Sequence, residues 1–460
     1  MRKTLLCLIC ALIQLMGFAQ HNVAIPEHLV SYMKQESIPN DAMVYQYTNN
    51  QLSNRIITTI FGNKIDLPST GSLYFIDEFP TANWSHPCRY VWFDSNLKNS
   101  KTIKENNPPS NLDIWILISE NHILPTKTYN RSLSNNKTSV RSPSPSASHN
   151  YAVIISGGLN ANSNHIRYWN DCQAIYSTLV NEYGYLDSHI YVLMSDGTNP
   201  ANDRNTGHGY DSSPLDLDGD GDNDIQYAAT KNNITSVFNL LSNTLTSNDF
   251  LFIFTTDHGD TNGGGNVLLC LWGETMTDAE FANEVNKVNA GAISIVMEQC
   301  YSGGFVSDLT ASNRVIATAC TAYEPSNAMT GLLYNEFVYH WTSAVRGFTP
   351  NGIPVNADTN NDGLVSMKEA FDYAKNNDSK NETPQYNSSI PMYGELLSLN
   401  GYTIYLGNQI ITSNTAAIGG KIEISNVTVQ NNSSINTQAL ESTTINGSFE
   451  VKLGSTLYIK

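Results

Sequence analysis

The chain has 460 residues, a formal net charge of −17 at pH 7 and 40% apolar residues. This length suits two or three domains, and the apolar fraction is large enough for a sizeable core. The excess of acidic side chains argues against nucleic acid or an anionic membrane surface as a partner.

The first segment, 1–19, is typical of a secretory signal peptide. Arg2 and Lys3 form a basic start, an apolar stretch follows, and the small residues Gly17 and Ala19 offer a cleavage site. The apolar stretch is too short to span a bilayer, so we expect export to the medium or the cell surface without membrane insertion. Two of the seven cysteines fall in this segment. The mature chain therefore keeps an odd number, and at least one thiol stays outside any internal disulfide.

Residues 20–130 form a β-rich N-terminal region. Alternating apolar and polar residues predict strands at 71–76, 89–93 and 113–118, and none of them carries a catalytic motif. A linker rich in Ser, Asn and Pro follows at 131–149. This arrangement fits either a removable propeptide, in which the N-terminal region acts as the chain's own inhibitor, or an ordinary accessory domain.

From 150 to 400 the pattern changes to α/β. Runs with i, i+3, i+4, i+7 spacing predict helices, among them one at 171–182, and Thr277 with Glu280 forms a capping box at the start of another. Short apolar runs predict strands at 151–155, 190–194, 250–254, 293–297 and 314–317. Strands that alternate with helices predict a mostly parallel sheet with helices on both faces.

Two of these strands are followed by reactive residues. His258 and Gly259 come after the strand at 250–254, and Cys300 comes after the strand at 293–297. Catalytic groups gather at the carboxyl ends of parallel strands, so we expect His258 and Cys300 to lie close together. An imidazole beside a thiol makes the thiolate nucleophile and later protonates a leaving amine. Taken alone, each residue also has a purely structural interpretation, Cys300 as a buried core thiol and His258 as a turn histidine. The two motifs together favour catalysis.

The motifs TTDHG and MEQCYSGGF resemble the paired His-Gly and Glu-x-Cys-x-Ser-Gly signatures of legumain-type cysteine peptidases, in the caspase-like clan. The resemblance covers about 151–341. It implies a caspase-like fold and catalysis by a Cys–His dyad. It also implies that Arg167 and Glu298 line the pocket for the substrate residue before the cut.

The resemblance is incomplete at two positions. The family has an Asn that orients the catalytic His; by spacing from Arg167 its place falls on His165, with Asn164 beside it, so the third catalytic member stays unassigned. A further acidic pocket residue of the family has no clear match, although Glu324 lies in the right region. A preference for Asn before the cut is therefore left open.

Two acidic segments have the spacing of calcium loops. The segment DTNNDGLVSMKE fits an EF-hand loop, in which a Gly makes the sharp turn and a Glu closes the site, so it is the stronger candidate. The segment DLDGDGDND has aspartates at alternate positions but Tyr227 at the closing position, so it needs a ligand from elsewhere. The predicted ligands are Asp358, Asn360, Asp362, Leu364 through its carbonyl, Ser366 and Glu369 in the first loop, and Asp216, Asp218, Asp220 and Asp222 in the second. We expect calcium to be structural, because the thiol chemistry needs no metal or other cofactor.

Residues 401–460 predict a small all-β module. Thr, Ser, Asn, Ile and Val alternate there without charge runs. The segment resembles the C-terminal sorting modules of secreted proteins from Bacteroidetes-type bacteria, and a carbohydrate-binding or packing module is the alternative.

Together these features predict a secreted cysteine endopeptidase that acts on proteins or peptides. Cys300 is the predicted nucleophile and His258 the general base and acid. The backbone N–H groups of Gly259 and Cys300 are the predicted oxyanion donors. Cleavage after Asn is one expectation, and a peptidase or transpeptidase of the same clan with another specificity, such as cutting after Arg, is a second. An inactive, calcium-stabilised binding module is the alternative from a different functional class.

Overall fold

The computed structural model describes residues 25–39, 42–48, 55–59, 63–68, 70–80, 82, 87–109, 115–118, 145–207, 209–262, 266–390 and 392–460. The predicted signal peptide and residues 131–144 of the predicted linker lie outside these ranges. Within them, no helix is both long and apolar enough to cross a bilayer. The chain divides into two compact units, Met1–Pro80 with Pro87–Ile123 and Thr81–His86 with Leu124–Lys460.

The first unit consists mainly of β-strands. Its described elements are α1 (Glu27–Gln35), β1 (Met43–Tyr47), β2 (Arg55–Thr58), β3 (Lys64–Leu67), β4 (Ser72–Asp77), β5 (Cys88–Phe93), β6 (Ser100–Glu105) and β7 (Trp115–Leu117). An antiparallel sheet has the order β6-β5-β4-β1-β7, and β2 pairs with β3 separately. Because successive strand residues point to opposite faces, Tyr74 and Ile76 pack with Leu29 of α1, whereas Phe75 packs with Tyr90 in a separate cluster.

A mostly parallel sheet forms the centre of the second unit. The elements of this part of the chain are β8 (Asn150–Ser156), α2 (Ile166–Asn181), β9 (Ile190–Met194), β10 (Arg204–Asn205), β11 (Tyr210–Asp211), β12 (Ile225–Tyr227), α3 (Lys231–Thr244), β13 (Phe250–Thr255), β14 (Gly259–Thr261), β15 (Val267–Cys270), β16 (Thr275–Thr277), α4 (Asp278–Val285), β17 (Ala292–Met297), α5 (Val306–Leu309), β18 (Arg314–Thr318), α6 (Glu336–Arg346), α7 (Met367–Asn377), β19 (Gln385–Ser388) and α8 (Tyr393–Leu396). The sheet has the order β12-β9-β8-β13-β17-β18-β19, and every pair in it is parallel except β18 with β19. Two small antiparallel sheets, β10-β11 and β14-β15-β16, lie outside it.

Helices cover both faces of this sheet. Phe250, Phe252 and Phe254 of β13 pack in one apolar cluster with residues of α2, α6 and α7. Leu251 and Ile253 pack in a second cluster with residues of α3 and α4. All five side chains are fully buried, as expected for a parallel strand that is covered on both sides. The predicted fold class, caspase-like α/β with helices on both faces, is confirmed, and so is the capping box at Thr277.

Helix α2 begins at Ile166 rather than at the predicted residue 171. The prediction took the apolar face of the helix to start at Cys172, but Tyr168 lies one turn earlier and is fully buried. Tyr168 therefore extends that face towards the N-terminus of the helix. As a result, Arg167 and Tyr168 are held on the first helical turn instead of in a loop.

The C-terminal module is a wound parallel sheet made of β20 (Thr403–Ile411), β21 (Thr415–Val429), β22 (Ser434–Val451) and β23 (Thr456–Ile459). Each strand pairs in parallel with the next, as in the pairs Thr403–Lys421, Thr415–Ile435 and Ser434–Thr456. Parallel neighbours in an open sheet need a long crossover, whereas these strands follow one another directly, so the chain winds as a solenoid. The module packs closely on Gly291, where a Cβ atom would lie 2.3 Å from the Tyr402 ring.

Candidate active site

The register of two central strands brings the His and Cys loops together. β13 and β17 are parallel neighbours, and Thr255 pairs with Met297 at their ends. His258 and Cys300 each stand three positions beyond that pair, at equivalent places on the same edge of the sheet. The two loops are in close contact, because a Cβ atom on Gly259 would lie 2.1 Å from the Cys300 carbonyl oxygen. A glycine is therefore needed at position 259 for this approach.

The His258 imidazole is buried and held in one orientation. Its Nε2 lies 2.8 Å from the carbonyl oxygen of Ser163. Since a carbonyl only accepts hydrogen bonds, Nε2 carries the proton and Nδ1 is left with a lone pair. The Tyr168 hydroxyl lies 3.1 Å from Nδ1. Burial holds the pKa of Tyr168 well above its ordinary value, so this hydroxyl stays protonated and donates.

The group that orients His258 is a backbone carbonyl rather than either predicted side chain. The Asn164 amide instead donates to Ser195 Oγ at 2.6 Å and to the Asp203 carbonyl at 2.8 Å. The His165 ring stands edge-on to the His258 ring with centroids 5.7 Å apart. The Ser163 carbonyl thus contacts His258 at the place for which the sequence left Asn164 and His165 as candidates, and a backbone carbonyl has no residue-type signature by which sequence reasoning finds it.

The Cys300 thiol is buried and protonated in this arrangement. Burial is the main reason that its pKa lies well above the ordinary value, and the nearby Cys320 thiol adds to it. The Sγ atom lies 3.9 Å from the carbonyl oxygen of Ser326, which is the hydrogen-bond acceptor. All five cysteines outside the predicted signal peptide are free thiols. If Cys300 acts as a nucleophile, its proton must be removed during the reaction, because no thiolate is pre-formed.

Arg167 is linked to His258 through Tyr168. Its Nη2 donates to the Tyr168 hydroxyl at 2.9 Å, and its Nε donates to Asn335 Oδ1 at 3.1 Å. The Asn335 amide in turn donates to Asp171 at 2.7 Å. Burial raises the pKa of Asp171 to about 8. Sequence reasoning found Arg167 but missed Tyr168, Asn335 and Asp171; the only available signal was the spacing of Tyr168 on the buried face of α2.

Glu298 and Arg167 are held by different elements. Glu298 accepts a hydrogen bond from the Val338 N–H, in the first turn of α6, at 3.0 Å. A second buried acid, Glu382, accepts from the Asn327 amide at 3.1 Å. Burial is the main cause that raises the pKa of both carboxyls well above the ordinary value.

Glu324, the sequence-based candidate for a further pocket acid, instead joins two loops. Its carboxylate accepts hydrogen bonds from the Thr321 and Thr383 N–H groups, each at 2.9 Å. Burial is the first cause of the raised pKa of Glu382, and charge repulsion from Glu298 and Asp378 adds to it. Nothing in the local sequence of Glu382 marks it, because it comes from a loop far along the chain.

In the predicted EF-hand loop, the side-chain carboxylates accept hydrogen bonds from the loop's own backbone N–H groups. Gly363 has φ +92°, as the sharp turn requires, and its N–H donates to Asp358 at 2.9 Å. Glu369 accepts from Thr359 with one carboxylate oxygen and from Ser366 with the other, in a capping box for α7. Burial alone would raise the pKa of Glu369, but these hydrogen bonds outweigh it and lower the pKa. The closing Glu is thus engaged by protein donors. Two other predicted ligands of this loop are Asn360 and the carbonyl oxygen of Leu364. A third, Asp362, accepts a hydrogen bond from the Leu364 N–H.

The second acidic loop gathers carboxylates more tightly. Asp216, Asp218 and Asp224 each place one ligand atom within 4.8 Å of the others, the sole such group among the described residues. Asp224, the last aspartate of the same segment, belongs to this group, whereas Asp220 and Asp222 lie outside it. Burial is the main cause that raises the pKa of Asp218, to about 6. A hard cation such as calcium would stabilise the ionised form of these closely placed carboxyl groups.

Comparison with known proteins agrees with the fold. The family model described as the peptidase C13 family matches residues 150–392, just over half of the chain. The fold and site define a cysteine peptidase. The chain belongs to the peptidase C13 family, the legumain family, and its substrates are accordingly proteins or peptides.

No curated protein matches the chain. Among solved structures, the chain is similar to protein GSU0716 from Geobacter sulfurreducens, with 12% identity over 52% of this chain and 92% of that chain, at a TM-score of 0.33. A similarity of that size carries no argument about function.

Proposed function

We propose that the protein is an endopeptidase that uses Cys300 and His258 as a catalytic dyad. The observation that supports this most strongly is the in-register pairing of β13 with β17, combined with the 2.1 Å approach that only a glycine at position 259 allows. It puts the two loops against each other at one sheet edge. His258 has Nε2 bonded to Ser163, and its Nδ1, which accepts from the Tyr168 hydroxyl in this structure, is the proposed base.

In the proposed reaction His258 Nδ1 removes the proton from the Cys300 thiol as sulfur attacks the scissile carbonyl carbon. The carbonyl oxygen becomes an oxyanion, for which the N–H groups of Gly259 and Cys300 are the proposed donors. The carbon–nitrogen bond then breaks, and the proton on His258 passes to the leaving amine. Water, deprotonated by the same imidazole, hydrolyses the thioester and restores the thiol. The raised pKa of Cys300 fits this sequence, because a base is needed in every cycle.

We propose a preference for Asn before the cut. Burial is the main cause that raises the pKa of Glu298 and of Glu382 well above the ordinary value, which favours the uncharged form of each carboxyl. Each also has one carboxyl oxygen with no hydrogen-bond partner in the part of the chain that the structure describes. Buried carboxyls that favour the uncharged form suit an uncharged side chain that both donates and accepts hydrogen bonds, and they attract a cationic side chain less than ionised carboxylates do. Asn is therefore favoured over Arg.

The test is the cleavage profile of the purified protein on a peptide library, with the Cys300→Ala variant as control. Cleavage after Asn that is lost in the variant supports both the dyad and the pocket. Cleavage after Arg would refute the argument from neutral carboxyls while leaving the dyad intact. Cleavage after large apolar residues would refute any role for Arg167 and Glu298 in the pocket.

Two further properties belong to the proposal. Export is supported by the basic, apolar and small-residue order of 1–19, and fractionation of the native producer tests it. Structural calcium is supported by the carboxylate group of Asp216, Asp218 and Asp224. Calcium bound there would hold its loop and take no part in the reaction.

A further inference from the structure

One residue of the β10–β11 hairpin holds the loop that orients His258. The Ser163 carbonyl accepts from His258 Nε2 at 2.8 Å, and the carbonyls on either side of it belong to residues 162 and 164. Asn205 Nδ2 donates to the Asn162 carbonyl oxygen at 2.9 Å, and the Asn205 backbone N–H donates to the Asn164 carbonyl oxygen at 2.7 Å. Because each peptide group is planar, fixing the two neighbouring carbonyls leaves the middle one little freedom to turn.

The loop and the hairpin share the task of holding this backbone. Within the loop, the Asn160 carbonyl oxygen accepts from the N–H groups of Ser163 and Asn164, at 3.1 and 2.9 Å. The hairpin supplies donors for the carbonyls through Asn205. The backbone on both sides of the Ser163 carbonyl is therefore bonded through its N–H groups and through its oxygens.

The hairpin has its own anchor on helix α2. Arg204 donates to the Asp211 carboxylate across the hairpin, at 2.9 Å from Nε and 2.8 Å from Nη2. Its guanidinium carbon lies 5.1 Å from the centroid of the Trp169 ring, and the Trp169 indole N–H donates to the Pro214 carbonyl at 2.9 Å. Asn205 directly follows Arg204, so it presents its two donors from a fixed support.

An asparagine suits position 205 because the side chain both donates and accepts. While Nδ2 donates to Asn162, Oδ1 accepts from the Gly207 N–H at 2.9 Å and stabilises the hairpin turn. An aspartate would keep the acceptor but lose the donor, and a carboxylate oxygen would face the Asn162 carbonyl. Substitution can therefore separate the contact with the loop from the turn of the hairpin.

The position of the Ser163 carbonyl decides which nitrogen of His258 carries the proton. A carbonyl only accepts, so Nε2 must donate to it, whereas a hydroxyl such as that of Tyr168 beside Nδ1 is able to donate or to accept. If the carbonyl turned away, the proton would be free to move to Nδ1. The lone pair that the proposed base needs would then be lost.

We propose that Asn205 is a positioning residue: by holding the loop around Ser163, it keeps the proton of His258 on Nε2. The proposal rests on the function proposed above, in which Nδ1 is the base. Asn205 acts on the loop and takes no part in making or breaking bonds.

The kinetic test compares the wild type, Asn205→Ala and Asn205→Asp on one Asn-containing peptide. We expect both variants to lose kcat by roughly tenfold or more while KM stays within about twofold, because a misplaced base transfers the proton poorly and the pocket is unchanged. Full activity of Asn205→Asp would show that only the hairpin turn matters, and it would overturn the proposal. A change confined to KM would overturn it too.

The matched control is Asn199→Ala. Asn199 is exposed and precedes the hairpin, and its Oδ1 accepts from the Ala201 N–H at 3.1 Å, as that of Asn205 does from Gly207. The same kind of turn contact is thus removed away from the loop of Ser163. We expect its kcat and KM to equal those of the wild type, and a loss of kcat as large as that of Asn205→Ala would overturn the proposal.

A spectroscopic measurement separates this proposal from the proposed function. In protein labelled with a heavy nitrogen isotope in histidine, the ring-nitrogen resonances show which nitrogen carries the proton, and those of His258 are identified by their absence from His258→Gln. We expect the Nε2–H form in the wild type and a mixture of both forms in Asn205→Ala. The Nε2–H form in both proteins would overturn the proposal and leave the peptidase standing. A wild type that cleaves no peptide would overturn the proposed function, and the comparison of the two forms would still decide the role of Asn205.

Discussion

Replacing Gly259 by Ala tests the contact that joins the two catalytic loops. The new Cβ atom would lie 2.1 Å from the Cys300 carbonyl oxygen, whereas real Cβ atoms essentially never come closer than 3.0 Å to such an atom. The obstacle is backbone, not the flexible end of a side chain. Either the His258 loop or the Cys300 loop must therefore shift by about 0.9 Å.

A displacement of this size should lower the reaction rate strongly. Moving a reacting group by about 1 Å costs roughly a hundredfold in rate, or about 2.7 kcal/mol of transition-state stabilisation. We expect kcat/KM of Gly259→Ala on an Asn-containing peptide to fall by that factor.

The matched control is Gly407→Ala in β20. A Cβ atom there would come no closer than 3.3 Å to its nearest neighbour, so the substitution should leave kcat/KM unchanged. Circular dichroism verifies that both variants are folded. Wild-type turnover by Gly259→Ala would refute the close packing of the two loops as the basis of the site.

Three further predictions concern the surroundings of the site. Tyr168→Phe removes the hydroxyl between His258 and Arg167, and we expect kcat to fall by roughly tenfold while KM changes little; a change confined to KM would contradict an orienting role. The pKa of Asp171 is raised from 3.8 to about 8 by burial, so it stabilises the fold at low pH, and this contribution is lost as the pH rises through that range. The melting temperature of Asp171→Asn should lack that part of the pH dependence, and superimposable pH profiles would contradict the assignment. Calcium at a hundred times its dissociation constant should stabilise the protein by about 2.7 kcal/mol, and Asp224→Asn should remove more of the melting shift than Glu369→Gln does. Equal melting curves with calcium and with chelator would contradict calcium binding at both loops.

The sheet and its reactive ends could be predicted because they depend on local patterns. The apolar runs at β13 and β17 determine which residues are buried, and the polar, glycine-rich turns after them mark where His258 and Cys300 emerge. Parallel pairing in register then brings these two residues to one edge. Each step uses only the residues near the motif.

The supporting contacts could not be predicted, because they come from distant or featureless positions. The Ser163 carbonyl orients His258 without any side chain. Asn335 joins Asp171 across 164 positions of sequence. The winding of the C-terminal module depends on which strands pair about 20 positions apart, and several registers would satisfy the same alternation.

The central claim is that Cys300 and His258 act together as the catalytic dyad. The most direct measurement is steady-state hydrolysis of one Asn-containing peptide by the wild type, Cys300→Ala, His258→Ala and the double variant. Because the two residues act as one unit, each single variant should lose nearly all activity and the double variant should be little worse than either. Turnover by Cys300→Ala at the wild-type rate, or losses that simply multiply in the double variant, would contradict the account.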